Sequence, residues 1–221
     1  MKPARLIPSI SAVLLAILSI AAAPEHPAII QYRAYAAAVR AGDEKALLKL
    51  AAPVSKENQP LQLAHIRCMI VLEKLRKETV AQLGPIDYKK DDGWMGTGVL
   101  PEEMTRELNA LEHNGWVGIV AKNPENGQMD LTIAIMKKAN GAWLMPFGMD
   151  LNTEGEGKEK DPYIEPKDGE ERDALLEEFT SHTKAAPQVI KRLQNKEFQT
   201  RAQVLSTLTE LESKARAQAE K

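Results

Sequence analysis

Hydrophobic residues recur at helical spacing through the first part of the chain. Apolar side chains lie three and four positions apart over residues 28–52, and Gly42-Asp43 predicts the end of one helix and the capped start of the next. A longer stripe follows Pro60 and ends at Gly84. Its segment IRCMIVL is apolar nearly all round, which predicts a helix packed on more than one side.

The spacing changes to a period of two after Gly115. The segments GWVGIVAK, QMDLTIAIMKK and AWLMPFGMD predict strands, and Asn140-Gly141 is typical of a tight type I′ hairpin. In that register Lys138 faces Trp143. Both faces of the hairpin are then apolar, unlike a sheet with one wet face. We therefore expect helices, a partner chain or a ligand to cover the second face.

Caps and helix breakers assign the remaining segments. Proline followed by two glutamates predicts a helix over residues 101–113. Residues 152–172 are rich in glycine, proline and charge, which predicts a long loop or linker. Beyond it we expect a short helix over 175–179, another over 187–193 and an amphipathic helix within 196–221.

The first 23 residues have the layout of a secretory signal peptide. Lys2 and Arg5 precede an apolar stretch that is too short for a comfortable membrane span. An uncleaved membrane anchor is the alternative. We expect export to a periplasmic or extracellular location, with no stable membrane span after cleavage. The predicted organisation is a signal peptide over 1–23, an α+β domain over 24–151, a linker over 152–172 and a helical extension over 173–221.

Composition and charge narrow the classes of function. Hydrophobic residues make up 43% and charged residues 27%, an ordinary globular balance. The net charge is −2, and no basic patch with interleaved aromatic residues appears, so nucleic acid is not an expected partner. With Cys68 as the only cysteine, no intramolecular disulfide can form. Export without disulfides suggests a bacterial periplasm or cell envelope, and no cofactor is predicted.

Two short patterns carry a resemblance to a known family. The pattern Y..A...GD...L..L falls on residues 35–50. The places of the pattern..I.L.K.NG.W.. are held by residues 133–144, where Lys138, Asn140, Gly141 and Trp143 match it. Over roughly residues 28–150 the chain resembles exported bacterial members of the nuclear transport factor 2-like superfamily, the cystatin-like α+β cone. The resemblance implies helices packed on a curved antiparallel sheet that encloses a pocket open at one end. The C-terminal helices of this chain lie outside that pattern.

The same resemblance implies a range of functions, because the superfamily holds isomerases, dehydratases and polyketide cyclases beside many non-catalytic binding domains. Catalytic members place an acid–base pair on the pocket wall, for which Asp130 and His113 are weak candidates if their strands pair. In the structural alternative, Asp130 caps the loop after Gly127 and His113 ends a helix. His65 and Cys68 supply too few ligands for a metal site, and none is predicted.

Aromatic and methionine residues supply the candidate ligand-binding positions, although they serve equally well as core. These candidates are Trp116, Met136, Trp143, Met145 and Phe147. The sequence favours a non-catalytic, exported binding or protein-interaction domain whose partner is an apolar small molecule or an envelope protein. One alternative is an isomerase- or hydratase-like enzyme for a small apolar substrate. The other is a structural module that forms a homodimer through the exposed sheet face.

Overall fold

The computed structural model describes residues 24–88, 90, 94, 99–113, 115–123, 126–146, 165–166 and 169–219. The predicted signal peptide and most of the predicted linker lie outside the described residues. The fold is α+β, as predicted: N-terminal helices, a four-stranded antiparallel sheet and C-terminal helices. The helices are α1 (Pro27–Ala41), α2 (Glu44–Leu50), α3 (Gln59–Leu83), α4 (Gly169–Gln194) and α5 (Arg201–Ala219), and the strands are β1 (Leu108–His113), β2 (Trp116–Lys122), β3 (Met129–Ala139) and β4 (Ala142–Leu144).

The junction between α1 and α2 forms as the sequence predicts. Gly42 adopts a left-handed conformation with φ of 69°, and its N–H donates to carbonyls in the last turn of α1. The Asp43 carboxylate then accepts a 2.9 Å hydrogen bond from the Ala46 N–H, which caps α2. The two helices are therefore joined by only two residues, Gly42 and Asp43.

Helix α3 lies between two hydrophobic cores, which confirms the prediction from its apolar circumference. Ile66 and Ile70 pack into the first core with α1 and the sheet, whereas Leu72 and Leu75 pack into the second with α4 and α5. The C-terminal helices therefore pack on α3. The buried members of the second core are Cys68, Leu72, Leu75, Trp94, Ala185, Ala186, Val189, Leu193, Phe198, Val204 and Leu208.

The sheet runs in the order β1-β2-β3-β4, with every neighbouring pair antiparallel. Asn140 and Gly141 both have positive φ, 51° and 82°, as a type I′ turn requires. Lys138 therefore pairs with Trp143, which confirms the predicted hairpin register. The register between β2 and β3 shifts where Ile119 pairs with Ala134 and Val120 pairs with Thr132, so that Ile133 of β3 is an extra residue that bends the ladder.

The helix predicted over residues 101–113 is wrong. A 3₁₀ turn covers Glu102–Thr105, and β1 follows over Leu108–His113. The strand contains leucine, alanine and glutamate, which favour helices, but pairing with β2 and the inward packing of Leu108 and Ala110 decide its conformation.

The two short helices predicted over residues 175–179 and 187–193 are one helix. Helix α4 continues through Pro187, which lies on its exposed side. Ala185, Ala186 and Val189 are completely buried against α3, and this packing holds the helix together across the proline. Helix α4 begins at Gly169, before the predicted boundary at residue 173.

No helix in the described ranges combines the length and the apolar composition that a membrane crossing needs.

Candidate functional site

A groove of about 440 Å³ lies at one end of the sheet, between the β1–β2 turn and the β3–β4 hairpin. The Lys138 N–H donates a 2.9 Å hydrogen bond to the Gly115 carbonyl and ties the two turns together. Gly115 has a φ of 88°, which favours glycine, and a Cβ there would enter open space. The groove is lined by Glu112, His113, Gly115, Trp116, Lys138 and Trp143.

Two tryptophans form the aromatic part of this groove. The half-buried Trp116 ring meets the His113 ring edge-on with 4.9 Å between centroids. Trp143 is only 8% exposed and belongs to the first core, but its ring also forms part of the groove wall. The Lys138 ammonium lies 5.4 Å from the centre of the Trp143 ring, within the range of a cation–π contact.

A histidine at the start of α1 connects the helix to the groove. The Ala28 N–H donates to Nδ1 of His26 at 3.2 Å, so Nδ1 acts as an acceptor. In the neutral ring the proton is then on Nε2, which donates to Glu112 at 2.8 Å. His26 thus caps α1 and holds the carboxylate of Glu112 at the groove, while its ring lies 5.8 Å from the ring of Trp143.

Two of the five predicted ligand-binding residues, Trp116 and Trp143, come together in the groove. Met136 is instead fully buried in the first core, with 0% of its surface exposed. Met145 packs against the same core, and Phe147 lies outside the described residues. The side chain of Met136 thus fills the space between the sheet and α1 and is absent from the groove lining.

The inner face of the sheet packs directly on α1. Val117, Ile119 and Met136 share one core with Tyr32 and Tyr35 of that helix. Burial raises the pKa of both tyrosines to about 12, so their hydroxyls stay protonated near neutral pH. Side chains of α1 thus fill the space against the inner face, and the groove lies at the end of the sheet.

The proposed acid–base pair does not form. Strands β1 and β3 both pair with β2, so they are not neighbours in the sheet. His113 pairs with Trp116 of β2, which in turn pairs with Lys137 of β3. Asp130 lies near the other end of β3, roughly 23 Å from Lys137 along the strand at about 3.3 Å per residue. The Asp130 carboxylate accepts a 2.7 Å hydrogen bond from Asn126, as the loop-capping alternative predicts. His113 ends a strand and not a helix.

The other reactive side chains considered from the sequence are held neutral. Burial lowers the pKa of His65 to about 4. Burial, with the nearby carboxylates of Glu178 and Glu212, raises the pKa of the Cys68 thiol to about 12. Among the described residues, no group of three or more histidine, cysteine, aspartate or glutamate side chains is arranged to hold a metal ion.

A second groove, of about 370 Å³, is lined in part by Arg40, Arg76 and Lys77. These cations make structural contacts. Arg76 forms two 2.8 Å hydrogen bonds to the buried Glu73 carboxylate. Arg40 donates to the Leu100 carbonyl at 2.7 Å, and Lys77 donates to the Arg40 carbonyl at 2.8 Å. This groove therefore carries structural ion pairs and hydrogen bonds.

The predicted site residues did not include Glu112, Lys138, His26 or Gly115. A signal was present for Lys138, because the hairpin register sets it opposite Trp143. No comparable signal existed for Glu112 and His26, which lie 86 positions apart in the sequence. Comparison with known proteins adds no assignment: no protein-family model, no curated protein and no solved structure matches the chain.

Proposed function

We propose that this protein is a non-catalytic, exported binding domain whose ligand occupies the groove between the β1–β2 turn and the β3–β4 hairpin. The observation that carries the proposal is the exposed side of Trp116 beside Trp143, Lys138 and Glu112 around one groove. An aromatic surface with a few charged groups at its border is typical of small-molecule sites. The resemblance to the nuclear transport factor 2-like superfamily agrees with such a site and remains a prediction.

The groove favours a ligand with one apolar face and a polar border. Its planar or apolar side packs on Trp116, while its polar atoms face the ammonium of Lys138 and the carboxylate of Glu112. This differs from the fully apolar molecule expected from the sequence, because the aromatic surface lies next to charged side chains and not inside the sheet.

Native mass spectrometry of protein purified without refolding tests this function. We expect a bound small molecule that dissociates on denaturation. Trp116→Ala removes the half-buried ring and should abolish the bound mass while the circular dichroism spectrum stays unchanged. Trp143→Ala is less informative, because removing this buried side chain costs about 3–5 kcal/mol of stability.

Leu48→Ala is the matched control. Leu48 is a large exposed hydrophobic residue on α2 and is absent from the groove lining, so this variant should retain the bound molecule. Retention of the same ligand by Trp116→Ala would contradict the proposed site. Empty wild-type protein whose tryptophan fluorescence does not respond to a library of aromatic and amphipathic compounds would contradict the proposed function.

A further inference from the structure

Strand β1 forms one edge of the sheet. It pairs with β2 on one side, and no strand lies on its other side in the part of the chain that the structure describes. Asn109, Leu111 and Glu112 are exposed, and Leu111 has 61% of its surface accessible. An edge with an exposed leucine is a template for further strand pairing.

Helix α1 runs alongside this edge and adds a second exposed apolar residue. His26 contacts the Glu112 side chain at one end of β1, and Arg33 donates to the Arg106 carbonyl at 3.0 Å near the other end. Ile30 lies between these contacts on the same helix face, since it is four residues after His26 and three before Arg33. Ile30 is 53% exposed.

The described residues include three exposed large hydrophobic side chains, and two of them, Ile30 and Leu111, flank this one edge. The third, Leu48, lies on α2. The edge thus presents an apolar residue from the helix layer and another from the strand.

Arg106 and Glu112, exposed side chains of opposite charge, lie at the two ends of the edge. Arg106 is exposed just before β1, and the exposed Glu107 follows it in the chain. Arg33 donates to the Arg106 carbonyl and is itself paired with Glu25 at 3.1 Å. Glu112 is exposed at the far end. In an antiparallel arrangement of two such edges, Arg106 of each copy approaches Glu112 of the other.

We propose that β1 pairs antiparallel with β1 of a second copy of this chain. With the two-fold axis at Ala110, Leu111 lies diagonal to Leu111 of the second copy, and Glu107 lies opposite His113. Arg106 is then diagonal to Glu112, within reach of its long side chain. The same patch serves both copies, as an isologous interface requires.

This interface differs from the homodimer expected from the sequence, which used the face of the sheet and not its edge. It also connects with the groove, since Glu112 and His113 belong both to β1 and to the groove lining. In the dimer, Arg106 of the second copy lies beside that lining and adds a cation to its border.

Sedimentation velocity of the full chain over a range of concentrations tests the proposal. We expect a dimer for the wild type. Leu111→Lys places a charge on the edge and should weaken dimerisation about tenfold or more, which corresponds to about 1.4 kcal/mol. Leu48→Lys, the matched exposed hydrophobic residue on α2, should leave the dimer unchanged.

Charge exchange provides a second test of the same interface. Arg106→Glu sets two carboxylates against each other at both ends and should weaken the dimer, and the double variant Arg106→Glu/Glu112→Arg should restore it. A monomeric wild type overturns the proposal, as does a dimer that Leu111→Lys and Leu48→Lys affect equally. A ligand-bound monomer in native mass spectrometry would overturn the dimer and leave the proposed binding function standing.

Discussion

The polar residues of α3 show how burial changes the chemistry of single side chains. His65 and Cys68 face the second core, His65 with its ring 5.0 Å from that of Phe179. Burial favours the neutral form of each group, which lowers the pKa of the histidine to about 4 and raises that of the thiol to about 12. A pair of residues with metal-ligand spacing in the sequence is therefore part of the packing.

The lowered pKa of His65 predicts a loss of stability in acid. The histidine in the unfolded chain titrates at 6.5, and the folded one at about 4. Between these values the unfolded chain binds more protons, so stability is retained above pH 6.5 and falls as the pH drops towards 4. We expect His65→Leu to lose less stability than the wild type between pH 7 and pH 5, measured by urea unfolding.

Leu48→Ala is the control for this measurement, because it changes an exposed side chain on α2 that carries no titratable group. It should show the same difference between the two pH values as the wild type. If His65→Leu also keeps the full difference, His65 is not the source of the acid sensitivity.

The buried ion pair of α3 gives a second prediction for single residues. Glu73 is 1% exposed and binds Arg76 through both carboxylate oxygens. Glu73→Gln leaves the arginine buried without its counter-charge, and we expect a loss of about 3–5 kcal/mol in the free energy of unfolding. Glu78→Gln changes an exposed contact of the same helix and should cost about 0.5 kcal/mol or less. Equal effects would contradict the assigned role of the pair.

Two secondary-structure elements, β1 and α4, follow their tertiary neighbours and not their local sequence. Strand β1 contains good helix formers but pairs with β2, and α4 continues through a proline because its buried face packs on α3. In each case the free energy of packing offsets the cost of a conformation that the residues themselves do not favour. Local propensity is a weak prior at such positions.

The proline in α4 leads to a prediction for that helix. Pro187 is exposed and has no N–H to donate to the carbonyl of Thr183, one helical turn earlier. Pro187→Ala should therefore stabilise the protein, by up to about 3 kcal/mol in thermal or urea unfolding. Gln188→Ala, at the next exposed position, should change stability by about 0.5 kcal/mol or less. Destabilisation by Pro187→Ala would show that the helix has adapted its geometry to the proline.

The whole molecule is held together by α3, which contributes to both cores. The chain also returns to the start of α3 before α4 begins. Glu165 accepts hydrogen bonds from the Ser55 N–H at 3.1 Å and from the Asn58 side chain at 2.8 Å. The C-terminal helices are therefore joined to α3 through the second core and also through the segment that contains Glu165.

Truncation after Pro166 tests this integration at the scale of the molecule. The shortened chain exposes Leu72, Leu75 and Trp94, which are buried in the second core. We expect it to lose cooperative unfolding, followed by circular dichroism in urea. Removal of residues 217–221 alone, beyond the last buried residue of α5, should leave the transition unchanged. A cooperative transition of wild-type strength in the long truncation would identify the C-terminal helices as a separate arm.

The sequence by itself determined the local elements. The Gly42-Asp43 break, the Asn140-Gly141 hairpin and its Lys138–Trp143 pairing, and the double-sided packing of α3 follow from residues close together in the chain, where turn geometry and side-chain period dictate the outcome. The α+β class followed from these elements.

Only the tertiary structure decided which elements meet and where space remains. It turned residues 108–113 into an edge strand, placed Met136 in the core, and separated Asp130 from His113 by nearly the length of β3. It also joined His26 to Glu112. These outcomes depend on pairing and packing between distant segments, and no local pattern encodes the free energy of such contacts.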